Sequence, residues 1–72
     1  MSDELLYRGF TIRAEPYELR GGGWTHEGCL VEQRNPSTRE TKFFAGGSSA
    51  TREAAVEAII AEGKRLIDIR SQ

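Results

Sequence analysis

The sequence predicts one α+β domain: a three-stranded antiparallel sheet followed by one C-terminal helix packed on one face (β-β-β-α). Two patterns predict this fold. Apolar and polar residues alternate through much of the first half of the chain, which is the period of a half-buried strand. From residue 51 onward the apolar residues recur at helical spacing. A length of 72 residues allows a single domain, 1–72.

Turn-forming residues divide the first half into elements. Pro16 ends the first strand because proline cannot donate to a sheet ladder. Three glycines close the next loop, at 17–23, and an Asn-Pro pair marks a turn at 34–38. Glycines and serines at 46–49 end the last strand. The predicted strands are therefore 6–15, 24–33 and 41–45.

The helix begins near Thr51, a favourable N-cap residue, and runs to about Ile69. Its apolar residues form one broad arc, in which Ile59 and Leu66 are the expected main core contacts. Gly63 lies in the middle of that arc, although glycine in a helix costs about 1 kcal/mol against alanine. Its presence predicts a close approach to a bulky strand residue, for which Trp24 is the candidate.

Composition limits the possible functions. Ten basic and eleven acidic residues give a net charge of −1, so the basic excess of most phosphate-backbone binders is absent. A single cysteine, Cys29, cannot form a disulfide within the chain, and with the single His26 it cannot complete a zinc site. A lone cysteine fits a reducing cytosol. The acidic N-terminus is unlike a signal peptide, and no apolar run is long enough to span a membrane, so the sequence predicts a cytoplasmic protein without membrane contact.

No catalytic site is predicted. His26 and Cys29 are three positions apart on one predicted strand, so their side chains should point to opposite faces of the sheet. The expectation is therefore a protein that is not an enzyme and holds no metal and no cofactor. One candidate anion site lies at the N-terminus of the helix and in the segment just before it, where free backbone N–H groups attract negative charge. Its residues are Gly46, Gly47, Ser48, Ser49 and Arg52.

Apolar residues are left over on the uncovered side of the sheet. Phe43 and Phe44 are adjacent on a strand, so one should face the helix and the other the open side. Phe44 is assigned to the open side, together with Cys29 and Val31. Closed two-fold dimers are the commonest oligomers, and a second copy would bury such a surplus. The predicted homodimer interface consists of Phe44, Val31, Cys29, Ile60, Ile67 and Ile69.

Several short segments resemble one family of small bacterial proteins. These are Tyr7-Arg8-Gly9-Phe10-Thr11-Ile12, Pro16, Gly22-Gly23-Trp24, Gly28, Thr51-Arg52-Glu53-Ala54-Ala55 and Gly63-Lys64-Arg65-Leu66-Ile67-Asp68. The pattern is similar to that of HlyU-type proteins, which are catalogued as transcriptional activators. The resemblance implies a bacterial cytoplasmic protein with a regulatory role and no known catalysis. This chain departs from the family at Ala45-Gly46-Gly47, where that family carries an Arg-x-Asp.

Together these observations predict a non-catalytic interaction or regulatory module that associates with itself. A protein partner is compatible with the same surface. The alternative is a weak nucleic-acid-binding protein that uses the open sheet face or the helix N-terminus.

Overall fold

The computed structural model describes residues 3–33 and 37–70. Its elements are β1 (Glu4–Tyr7), β2 (Phe10–Ala14), β3 (Trp24–Gln33), β4 (Thr38–Ser49) and α1 (Arg52–Arg70). The strands form one antiparallel sheet in the order β1-β2-β3-β4. The predicted class, an antiparallel sheet followed by one C-terminal helix, is confirmed, but the described residues form four strands where three were predicted.

The first predicted strand is a hairpin of two strands. Tyr7 pairs directly with Phe10, so Arg8 and Gly9 alone connect β1 to β2. Both residues have positive φ, 50° and 83°, as a two-residue type I′ turn requires. Arginine rarely adopts a positive φ, so Arg8 gave no sign of a turn. One continuous strand was therefore predicted across 6–15 in place of the hairpin.

The last strand is longer than predicted. It begins at Thr38, inside the predicted turn at 34–38, of which positions 34–36 lie outside the described residues. It continues through Gly46 and Gly47 to Ser49, where a break was predicted. Both glycines have positive φ, and the register to β3 shifts there. The two glycines thus form a bulge within β4 rather than ending it.

The helix lies on one face of the sheet and buries a stripe with a spacing of four residues. The stripe consists of Ala55, Ile59, Gly63 and Ile67. Ile67 forms the core together with Ile12 and Leu30 from the central strands. Thr51 caps the helix as predicted, since its hydroxyl accepts a hydrogen bond from the Ala54 amide at 3.2 Å.

Two details of the predicted helix packing are corrected. Ile59 is fully buried as expected, but the second main contact is Ile67, while Leu66 is half-buried at the margin of the core. The buried stripe continues from Gly63 to Ile67, so residue 67 points at the sheet, whereas the predicted helix phase placed residue 66 there. Gly63 does meet a bulky strand residue, but that residue is Ile12 and not Trp24.

Polar contacts fix both ends of the helix to the β1–β2 hairpin. Near its C-terminus, Asp68 accepts a hydrogen bond from the Tyr7 hydroxyl at 3.0 Å and lies 3.3 Å from the Arg8 guanidinium. At its N-terminus, Arg52 pairs with Asp3. Both ends of the helix are thus held on one face of the sheet, and no other described element covers the opposite face. Within the described residues, no helix is long and apolar enough to cross a membrane.

Candidate interaction surface

The sheet face away from the helix, here called the open face, is set by strand alternation. Phe43 pairs with Gly28 and lies close to Ile59 of the helix, so it belongs to the covered face. Its neighbour Phe44 pairs with Glu27 and points to the open face, where 59% of it is exposed. The predicted assignment of the two phenylalanines is confirmed.

Cys29 and Val31 also point to the open face, but they are not available to a partner. Cys29 is 2% exposed and Val31 is 7% exposed. Side chains of the neighbouring strands lie on both sides of each: Arg13 and Lys42 flank Cys29 in the sheet register, and Thr11 and Glu40 flank Val31. Their place in the predicted interface is therefore corrected. A central strand is shielded by its neighbours even on a face without a helix.

The same shielding affects the chemistry of the thiol. Burial raises the pKa of the Cys29 thiol above its ordinary value, and the carboxylates of Glu40 and Glu15 raise that pKa further. The Cys29 sulfur lies 3.8 Å from a Glu40 carboxylate oxygen. A reactive cysteine requires a lowered pKa and access to solvent. Cys29 has neither feature, so it acts as a small core residue.

Phe44 borders a shallow groove that extends over β3, from β4 to Glu15 just after β2. The groove has a volume of about 500 Å³ and is lined by Glu15, Glu27, Gly28, Lys42, Phe43 and Phe44. The Tyr17 hydroxyl donates a hydrogen bond to Glu27 at 3.3 Å, which places Tyr17 beside this groove. A charged rim around one exposed aromatic side chain is typical of a protein interface, where aromatic residues are enriched.

The open face is more acidic than the chain as a whole. The strand pairing places six charged side chains on it: Glu4, Glu15, Glu27, Glu40, Arg13 and Lys42. Part of this charge is paired within the chain, since Arg13 bonds Glu4 at 2.9 Å and lies 3.7 Å from Glu40. Four carboxylates against two bases make an unfavourable surface for a phosphate backbone.

The three helix isoleucines predicted at the interface have different environments. Ile67 is fully buried between the helix and the sheet, so its predicted place at a surface is wrong. Ile60 is partly buried against the core cluster. Ile69 remains 55% exposed near the end of the helix. Of the predicted interface residues, Phe44 and Ile69 are the ones with a largely exposed side chain.

The residues of the candidate anion site do not form the loop that was predicted. Positions 46–49 belong to β4, and Arg52 pairs with Asp3. Hydrogen bonding by that arginine lowers the pKa of the Asp3 carboxyl. Ser49 is bonded to His26. Two of the five groups proposed to hold an anion thus already have partners within the chain.

His26 occupies the gap that the β4 bulge opens. Its Nδ1 lies 2.8 Å from the carbonyl oxygen of Gly46 and its Nε2 lies 2.6 Å from the hydroxyl of Ser49. Since a carbonyl can only accept, a neutral ring must carry its proton on Nδ1 and accept from Ser49 at Nε2. This is the nucleophile–base arrangement of hydrolases in outline. However, the ring is 7% exposed, and neither residue lines the groove beside Phe44.

His26 and Cys29 form no pair in the structure, because each has its own partners on β4. Among the residues described, no group of three or more His, Cys, Asp or Glu side chains could hold a metal ion. Comparisons of the chain with protein-family models, curated proteins and solved structures found no match.

Proposed function

We propose that this chain is a non-catalytic interaction module that forms a homodimer through the β4 side of its sheet. The observation that carries the proposal is Phe44, a large apolar side chain that is 59% exposed beside a groove. Exposed apolar residues rimmed by polar groups mark surfaces that bind other proteins. A domain of this size buries a small core, so association also adds stability that the single copy lacks.

The charge distribution supports a protein partner over nucleic acid. Single-stranded nucleic acid binds to sheets that present several aromatic residues in a basic groove. Here Phe44 and Tyr17 are the exposed aromatic residues of the described chain, and carboxylates outnumber bases around them. No observation favours the nucleic-acid alternative. The sequence resemblance to HlyU-type proteins suggests a bacterial cytoplasmic regulator as the setting for such a module.

The experiment is to measure the solution mass of the wild type and of Phe44→Glu by light scattering at micromolar to millimolar concentration. We expect a dimer for the wild type and a monomer for Phe44→Glu, because an unpaired charge in a buried interface is strongly unfavourable. Leu6→Glu is the matched control. Leu6 also points to the open face and is 74% exposed, but it lies on β1 at the other edge of the sheet.

The control variant should dimerise like the wild type. A wild type that stays monomeric across the whole range would contradict the proposal. Equal weakening by Leu6→Glu and Phe44→Glu would place the contact on the face as a whole and not on the β4 side.

A further inference from the structure

The two edges of the sheet differ greatly in length. β1 has 4 residues, whereas β4 has 12 and, among the strands that the structure describes, pairs with β3 alone. An edge strand presents unpaired N–H and C=O groups that can bond another strand. The bulge at Gly46 and Gly47 interrupts this edge, so its regular part is 38–44, where the register to β3 is continuous. One long regular edge suits a closed pair of copies better than an open chain of them.

The hydrogen-bond pattern shows which residues of β4 bond outward. The Glu15 amide donates to the Glu27 carbonyl at 2.9 Å, so odd-numbered residues of β3 bond β2. By antiparallel alternation the even-numbered residues of β3 bond β4. Their partners are Arg39, Thr41 and Phe43. The backbone groups that point away from the sheet in the regular part of β4 are therefore those of Thr38, Glu40, Lys42 and Phe44.

The charge pattern of the edge selects one register for a second copy. An antiparallel two-fold pair keeps both helices on the same side, so opposed residues must share a face. A pair centred on Thr41 places Glu40 opposite Lys42 of the other copy, twice. A centre at Glu40 or at Lys42 would instead oppose two like charges, which destabilises a sheet. A centre at Phe43 leaves both charges without an opposite partner.

The same register accounts for the exposed aromatic residue. With Thr41 at the centre, Phe44 lies opposite Thr38 of the other copy on the open face. On the helix side, Arg39 lies opposite Phe43, where a guanidinium can stack on the ring. In the single chain Arg39 and Thr38 are exposed, as is Phe44. All three gain a neighbour in this arrangement.

We propose that two copies of this chain pair antiparallel along β4, centred on Thr41, and form one continuous eight-stranded sheet through cross-strand Glu40–Lys42 pairs. This inference rests on the self-association proposed above and adds its geometry. The occupant of the β4 edge is a second copy, because the edge is complementary in charge to itself.

The test is a charge-swap series in which the dimer dissociation constant is measured by sedimentation. Glu40→Lys and Lys42→Glu should each weaken the dimer by about tenfold or more, since each opposes like charges twice. The double variant restores both pairs and should dimerise like the wild type. An equimolar mixture of the two single variants should form a heterodimer, in which both opposed pairs again have opposite sign.

Two controls match the change in net charge at exposed sites away from β4: Glu57→Lys on the helix and Arg20→Glu in the loop before β3. Both should leave the dissociation constant unchanged. Circular dichroism checks folding, because Glu40 also lies 3.7 Å from Arg13. If Glu40→Lys does not fold, Lys42→Glu alone still opposes two carboxylates and must weaken the dimer.

The outcomes separate the two proposals. A monomeric wild type overturns self-association itself. The β4 register alone is overturned if the wild type dimerises and the single variants dimerise as tightly. It is also overturned if neither the double variant nor the mixture recovers the wild-type dissociation constant.

Discussion

Gly63 shows how a single missing methyl group sets the distance between helix and sheet. A Cβ atom built at this position would lie 2.6 Å from the Cγ2 of Ile12, a contact too short for two carbon atoms. Ile12 is fully buried and belongs to the core cluster, so it has little room to move. The helix can therefore approach the β2 strand only because residue 63 has no side chain.

We expect Gly63→Ala to lower the stability of the protein. Alanine favours the helix by about 1 kcal/mol, but overpacking a core costs about 1–3 kcal/mol, so the clash should outweigh the gain. The measurement is urea unfolding. Ala61→Gly, at an exposed position of the same helix, is the reverse change and should cost about 1 kcal/mol from propensity alone. A more stable Gly63→Ala variant would show that the core yields at Ile12.

At the scale of elements, the pairing of β3 with β4 depends on the bulge that His26 fills. The glycines at 46 and 47 permit the positive φ angles of the bulge, and the imidazole bonds the Gly46 carbonyl and the Ser49 hydroxyl. Without the ring, those groups would lose their partners in a partly buried site. The strand could then end at Ala45, as the glycines alone suggest.

We expect His26→Ala to destabilise the domain by about 2–3 kcal/mol, because it leaves a void and unpaired polar groups. Ser49→Ala should cost about 1 kcal/mol, since it removes a single hydrogen bond. Denaturant unfolding measures both, and hydrogen exchange at 45–49 should become faster in His26→Ala. Ser48→Ala, at an exposed neighbour, is the control and should change little. Unchanged stability in His26→Ala would mean that the glycines hold the bulge unaided.

The elements that were predicted well carry their signal locally. Thr51 and the apolar spacing after it placed the helix, and alternation placed β3 and assigned Phe44 to the open face. The elements that were missed depend on distant partners or on rare backbone angles. The Arg8–Gly9 turn needs a positive φ at arginine. The extension of β4 needs His26, which lies 20 positions before Gly46.

The candidate interaction surface was predicted in part for the same reason. Exposure of Phe44 follows from its own parity, but burial of Cys29 follows from the register of three strands, which brings Arg13 and Lys42 to its two sides. Periodicity in one segment cannot show which neighbours cover it. Likewise, the sequence does not show that the backbone groups of Glu40 and Lys42 point away from the sheet, because this follows from the position of β4 at its edge.

For the whole molecule, association and folding should be linked. In the proposed dimer only folded copies pair, so raising the protein concentration would shift the unfolding equilibrium toward the folded state. A hundredfold increase in concentration is worth about 1.4 kcal/mol per protomer, which in a domain of this size raises Tm by about 5–10 °C. Calorimetry of the wild type across that range measures the shift, and Phe44→Glu should show a Tm that does not depend on concentration. If the Tm of both proteins depended on concentration in the same way, the link between dimer formation through Phe44 and the stability of the fold would be contradicted.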